Sequence, residues 1–514
     1  MRASRTKNLC KKAVLVSLPL LAALAGLAVS WQCWIDPFVD SGREMDVPWR
    51  LLHGEQLYRD VTYYYGPIGP WANALALRLC GSSWLTLELV CAGLSSCIFV
   101  LLFRLTRRAG GLLSATVATA LTAALCLAAP RGGAFIFPYS SSNLFALAGG
   151  LLALDAAGAS GARRRRWLGT LGLAIALASR LEVGAAAAIA LVLAGLRSRP
   201  RGETRTEFQV VAGGSLLAAG AYCLAFIGIP ASRLLADGPF GPILGMPKEW
   251  SHLYLGISGL EQPLHTASRL GVSLLLDGLL LAAAALLALR QAGSAATGDG
   301  RSRGRPARSA ATGDGSRGRP ATSAATGDGS RGPETARPVR RHLFTIAGLS
   351  LLIAYAYSPA CVAQKDLPPL LAILPVLALA AALARLRRPL DERAGAQFLL
   401  FFWSAAVAAR VFFGITVGPR MGPHTSAALP GLLATAAVVG FDLLAPRLPE
   451  PGLFRRRLAA VFAVVGIFFL YRIERLHHQP QKVELSTPAG ALRLPETKAT
   501  AIAETLGYLA AHAR

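Results

Sequence analysis

The chain is divided by long apolar runs, most of them able to cross a hydrocarbon layer about 30 Å thick. They fall near residues 13–31, 84–105, 112–129, 142–158, 167–179, 183–196, 208–229, 267–289, 343–357, 367–386, 398–417, 427–444 and 458–471. This predicts about thirteen helices, of which the short fifth and sixth fit either closely packed spans or re-entrant segments. In lipid a backbone must satisfy its own N–H and C=O groups. The expected fold class is therefore an all-α polytopic membrane protein, with a transmembrane domain over residues 1–472 and a short segment over 473–514. In that last segment, "VELSTPAGALRLPETKATAIAETLGYLAAHAR" reads as strand, turn, strand and helix, the start of a small α/β unit.

Composition agrees: 53% of the 514 residues are hydrophobic and only 16% are charged, too few to clothe a soluble domain. The net charge of +25 is not spread as on a nucleic-acid-binding surface. Lys11 and Lys12, "RLTRRAG", Arg163 to Arg166, "RSRPRGETR", the 291–342 loop, "RLRRPLDER" and Arg455 to Arg457 are basic clusters in alternate loops. By the positive-inside rule these loops and the N-terminus face the cytoplasm. The opposite side receives residues 32–83, "RGGAFIFPYSSS", Arg180 with Glu182, the 230–263 loop, "SPACVAQKDLP", "VGPRMGPHT" and the tail after Tyr471. The basic, apolar N-terminus imitates a signal peptide, but its length and the spans that follow favour an uncleaved first helix. Within 291–342, "SAATGDGRSRGRPAR" recurs twice in decayed form with no apolar residue, so a disordered loop is expected. It reads either as a tether to anionic headgroups or as a repeat expansion without function. Eight cysteines form no CxxC pair. Cys33 and Cys80 flank the first outer loop and are placed for a disulfide if that loop is extracytoplasmic.

That loop is the most polar stretch of the first third: "DPFVDSGREMDVPWRLLHGEQLYRDVTYYYGPIGP", from Asp36 to Pro70. Asp40, Arg43 and Glu44 stand at i, i+3 and i+4, on one face if a helical turn begins there. "DVPWRLLHG" reads as a short interfacial helix with Asp46 as N-cap, Pro48 in the first turn and Gly54 as the stop. A carboxylate with a guanidinium beside it fits a reaction between an acid-base group and a phosphate.

An acidic residue opening the first outer loop, followed by "GEQLYRDVTYYYGPIGPWANAL", resembles the bacterial C-type glycosyltransferases, specifically the family 39-like and lipid A sugar-transferase-like proteins. "FPYSSSNLFAL" and "ASRLEVGAAAAIALVLA" are similar to later segments of that group. The resemblance implies an integral membrane transferase that takes a sugar from a polyprenyl-phosphate donor to an acceptor on the periplasmic side. The acceptor class, whether lipid, glycan or protein, stays open. It places the general base on Asp40, with Glu44 and Asp60 as alternatives, and makes Arg43 a candidate for the donor phosphate. Where some relatives carry a Lys-containing "KPP"-like segment this chain has "YYYGPIGP", so phosphate contact could fall to Arg59, Arg180, Lys365, Arg410 or Arg420. Tyr58, Tyr64, Tyr65 and Glu182 are candidates to line the donor or acceptor pocket. Some relatives hold a divalent metal; nothing in this sequence assigns ligands, and adjacent His477 and His478 diverge by about 100 degrees on a helix. Glu88 and Asp277, inside apolar runs, read as interhelical hydrogen-bonding groups. The competing reading is a transporter or flippase, although no internal repeat is visible among the helices.

Overall fold

A computed structural model describes residues 2–30, 34, 41–128, 134–137, 140–159, 161–197, 201–239, 262–264, 267–268, 271, 369–387, 390–412, 423–448, 450–478, 482–487 and 490–512. The predicted runs at 267–289 and 343–357 and the 291–342 repeat lie almost wholly outside these residues, as do Asp277, Cys33, Asp40, Lys365 and Arg420. The helices are α1 (Arg2–Ser30), α2 (Ser41–Leu52), α3 (Ile68–Cys80), α4 (Trp84–Ala109), α5 (Leu112–Ala128), α6 (Ser141–Ala156), α7 (Ala162–Ser179), α8 (Leu181–Arg197), α9 (Arg201–Phe226), α10 (Ala231–Asp237), α11 (Pro369–Leu386), α12 (Glu392–Phe412), α13 (Pro423–Val438) and α14 (Pro451–His478). α13 widens into a π turn at Val439–Leu444 and a 3-10 turn at Ala445–Arg447. An antiparallel hairpin, β1 (Lys482–Thr487) with β2 (Gly490–Pro495), pairs Lys482 with Pro495 and Thr487 with Gly490, and α15 (Glu496–His512) packs on it.

The apolar runs form helices because nothing else satisfies a backbone in hydrocarbon. Among the described residues, four helical stretches are long and apolar enough to cross a bilayer: Ala13–Ser30, Trp84–Ala109, Arg205–Phe226 and Ala427–Arg447. Leu112–Ala128, Ser141–Ala156 and Ile373–Leu386 are shorter apolar helices. The chain is thus a helical membrane protein. α5 and α6 are apolar on every face and almost wholly buried, which marks them as the centre of the bundle. Around them α4, α7, α8, α12 and α13 pack in direct contact.

Lipid offers apolar helices no hydrophobic reason to associate, so packing has to come from close backbone approach. α6 and α7 show it: a Cβ on Gly149 would lie 2.5 Å from the Gly172 carbonyl oxygen, and one on Gly172 would lie 2.7 Å from that of Gly149.

Irregular chain collects in two polar layers at opposite ends of the helices. At the basic end, Asp155, at the end of α6, sits 3.0 Å from both Arg104 and Arg108 of α4. Asp442, on the π turn, accepts a hydrogen bond from Ser114 Oγ and lies 3.4 Å from Arg393, which also donates to the carbonyls of Ala109 and Gly110. Gln397 Nε2 donates to the Ala109 oxygen at 2.6 Å, and Leu390 N to Arg197 O. At the other end, Ser30 Oγ and Trp34 Nε1 tie the exit of α1 to Leu127 O at the exit of α5. Residues 41–83, 134–137, 140–142, 179–182 and 226–238 belong to that second layer. Cys80 is a free, exposed thiol there.

Because backbone atoms rather than flexible side chains face Gly149 and Gly172, Gly172→Val should lower stability by about 3 kcal/mol. An unfolding titration in detergent would show it as an earlier midpoint with the helix content of the folded state unchanged.

Candidate functional site at the non-basic end

The sequence expectation of two separate turns around Asp46 is corrected by one continuous helix. α2 starts at Ser41, so Asp46 lies inside it rather than capping it, and Pro48 sits in its interior. The helix ends at Leu52 and Gly54 turns the chain with φ of 90°, the stop expected there. Ser41, Glu44, Met45 and Pro48 form the buried stripe at helical spacing, while Asp46 and Trp49 face outward.

Glu44 is the anchor of this layer. Its side chain is only 5% exposed, and Oε2 accepts a 2.8 Å hydrogen bond from the backbone N–H of Ser141, in the first turn of α6. A helix N-terminus carries partial positive charge and unsatisfied donors, so a carboxylate there is stabilised by both. Arg43 Nη2 lies 3.5 Å from the other oxygen, Oε1. Beside them Asn73 Nδ2 of α3 donates to Ser141 Oγ at 2.9 Å, and the Tyr63 hydroxyl shares a 3.0 Å hydrogen bond with Ser142 Oγ. Burial, reinforced by the Glu44 charge, raises the Tyr63 phenol above its ordinary pKa, keeping it a neutral hydroxyl.

The tyrosine-rich loop is pressed against the α7–α8 turn. Gly66 N–H donates to Ser179 O at 3.0 Å, and a Cβ on Gly66 would lie 2.1 Å from the Ala178 carbonyl oxygen, so this approach admits only glycine. Docked there, the Tyr65 ring lies between two cations: the Arg180 guanidinium at 4.1 Å from its centroid and that of Arg43 at 5.4 Å. Arg180 is also 3.1 Å from Glu182 Oε1, at the start of α8. The Arg180 side chain is 1% exposed, Arg43 26% and Glu182 41%, so the cluster presents Arg43 and Glu182 outward with Arg180 behind them. Tyr58 holds the loop from the other side. It adopts φ of 67°, a left-handed conformation uncommon for a bulky residue, and donates its hydroxyl to Tyr65 O at 2.5 Å. Burial pushes its phenol well above the ordinary value, so the donor stays protonated.

Other predicted residues lie elsewhere in the layer. Asp60 Oδ2 accepts the Gln56 N–H at 2.8 Å, closing the "EQLYRD" turn, and Arg59 pairs with Asp60 at 3.5 Å. Arg50 braces the same turn through Glu55 and Asp60 O. The turn is fastened to the end of α9 by Gln56 Nε2, which donates to Ile227 O at 2.7 Å, and to α10 by Arg233, which donates to Arg59 O. Tyr64 is partly buried in the tyrosine loop. Arg410 lies on α12, with its side chain outside the described residues. Among the described residues no group of three or more His, Cys, Asp or Glu gathers to hold a metal.

Sequence reasoning did not single out Tyr63, Asn73, Gly66 or the serines of "FPYSSSN" as members of this cluster. The serine run ahead of an apolar helix is an N-terminal signature that could have drawn attention to Ser141.

No protein-family model matches the chain, and no curated protein does. Among solved structures, the Archaeoglobus fulgidus oligosaccharyltransferase tethered with an acceptor peptide is similar over 91% of this chain and 55% of that one, at 14% identity and a TM-score of 0.46. The same protein in complex with Zn and sulfate gives 12% identity and a TM-score of 0.46 over 90% of this chain. ArnT from Cupriavidus metallidurans bound to undecaprenyl phosphate gives 14% identity and a TM-score of 0.34, over 85% of this chain and 79% of that one. The chain spans about half the length of the oligosaccharyltransferase.

Glu44→Leu should leave the Ser141 N–H buried without an acceptor and cost about 1–3 kcal/mol. Glu44→Gln, which keeps a carbonyl oxygen in that place, should recover much of the loss in the same unfolding titration.

Proposed function

We propose that this chain is an integral membrane glycosyltransferase that moves a sugar from a polyprenyl-phosphate donor to an acceptor at the non-basic, periplasmic side of the bilayer. One observation carries the reading. The three sequence segments that resemble C-type glycosyltransferases, far apart in the chain, meet at one place: Glu44 on Ser141, Gly66 on Ser179, and Tyr65 between Arg43 and Arg180.

Two guanidiniums set around one aromatic ring at a bilayer edge suit an anion such as a lipid-linked phosphate, because a charge there is screened less than in bulk water. Arg43, the more exposed, would contact the leaving phosphate, while Arg180 would add positive potential from behind Tyr65. Asp40, which directly precedes α2, would take the proton from the acceptor hydroxyl. The Glu44 carboxylate is already engaged by the Ser141 amide, which suits it to holding α2 in place. A phosphate leaving group needs little protonation, so one essential carboxylate suffices, unlike the pair used in glycoside hydrolysis. Arg59, Lys365, Arg410 and Arg420 remain secondary candidates for the phosphate, and Asp60 for the base.

With purified protein and a panel of polyprenyl-phosphate sugars, Asp40→Asn should abolish transfer without changing the unfolding midpoint, and full activity in that variant would remove the mechanism. Arg43→Gln should mainly raise KM for the donor. Arg180→Gln should lower kcat/KM by about tenfold to a thousandfold.

A further inference from the structure

At the basic end of the bundle, α7 begins with four consecutive arginines, Arg163 to Arg166, followed by Trp167. No acidic residue lies in its first turn, and its N-cap is Gly161, which offers no side-chain acceptor. Four cations at the positive end of a helix dipole repel both one another and the dipole. The surroundings add to the excess. α9 runs alongside α7 in the same direction, with Arg166 Nη1 3.2 Å from Gln209 Oε1, and brings exposed Arg205 to the same end. α4 ends there with exposed Arg107 and with Arg104 and Arg108. Two of the nearby carboxylates are withdrawn from this surface: Asp155 is 7% exposed and bound by Arg104 and Arg108, and Glu207 is 6% exposed. Glu392, on α12, reaches Arg108 electrostatically.

The outward stripe of α7 has an order of its own. Arg163, Trp167 and Leu171 follow at i, i+4 and i+8, hence on one face, and all are exposed, Trp167 at 68% and Leu171 at 50%. Guanidinium, indole and leucine thus succeed one another over about 12 Å of helix axis, at a rise of about 1.5 Å per residue. That is the order of environments along a phospholipid, from phosphate through the interfacial zone to acyl chain. A soluble anion would satisfy the arginines and leave the indole and leucine unmatched.

We infer that the start of α7, with Arg205 beside it, is a docking site for an anionic phospholipid, whose phosphate lies on Arg163, Arg164 and Arg166 and whose chain lies along Trp167 and Leu171. This site is at the opposite end of the bundle from the proposed reaction and does not depend on it.

The test uses the full chain reconstituted in nanodiscs of phosphatidylcholine alone or doped with phosphatidylglycerol, then stripped with detergent and weighed intact by native mass spectrometry. The wild type should retain phosphatidylglycerol over phosphatidylcholine. Each neutralised arginine should lower that preference by up to about fivefold, since one cation near an anionic surface is worth about 1 kcal/mol. R163Q/R164Q/R166Q should therefore bind the two lipids nearly alike, while R233Q, at the other end, should keep the wild-type preference. Trp167→Ala should shorten retention of both lipids without changing the ratio. If the triple variant fails to fold, R163Q alone and a salt titration of the wild type serve instead, with the preference falling as salt rises. Equal retention of the two lipids by wild type, or an unchanged preference in the arginine variants, would overturn the proposal.

Discussion

A single buried carboxylate joins the first loop to the centre of the bundle. Glu44 reaches from α2 to the first amide of α6, a helix apolar on all sides and sunk in the core. Removing a charge from water is costly, and here that cost is met by a helix terminus with donors to fill and a guanidinium alongside. The rest of the layer follows from that placement. With α2 fixed, Arg43 faces the tyrosine loop, Asn73 and Tyr63 close over the serines, and Gly66 lets the loop settle on the α7–α8 turn. The Arg180 and Tyr65 contact is thus the last step in a chain of dependences that begins at Glu44.

The two ends of the bundle use charge differently. At the basic end, Asp155 pairs with two arginines of α4, Asp442 joins Ser114 of α5 to Arg393 of α12, and the surplus cations point outward. At the other end the ionic groups pair with near neighbours in sequence, Arg180 with Glu182, Arg50 with Glu55 and Arg43 with Glu44. One layer is a set of pins beneath a cationic surface. The other is a set of local ion pairs, with Arg180 and Glu44 buried and Arg43 and Glu182 turned outward.

Much of the helical framework was readable from hydropathy alone, because a long apolar run in lipid has to satisfy its own backbone as a helix. Loop side could be read too: the basic clusters predicted to lie together do meet, as Arg393 with Ala109 and Leu390 with Arg197 show. Element starts were less legible. Asp46 followed by Pro48 imitates a helix start, yet tertiary contacts of Ser41 and Glu44 extend α2 past it. The candidate site was legible in parts. Arg43, Tyr65, Arg180 and Glu182 were each singled out, but their convergence depends on a glycine and a serine amide, whose roles are set by contacts remote in sequence. Asp60 shows the converse: a carboxylate in a suggestive motif is occupied in closing its own turn.

The crossing of α6 and α7 has a bearing on how rigidly the outer cluster is held. α6 opens with Ser141 and α7 leads directly into Arg180, so these two helices carry two of the groups of the outer cluster. Where they cross at Gly149 and Gly172, backbone meets backbone, with no compliant side chain to absorb a slide. The separation of the Ser141 and Arg180 ends is then set when the helices pack, and any change of shape in this layer is left to the loops that join them.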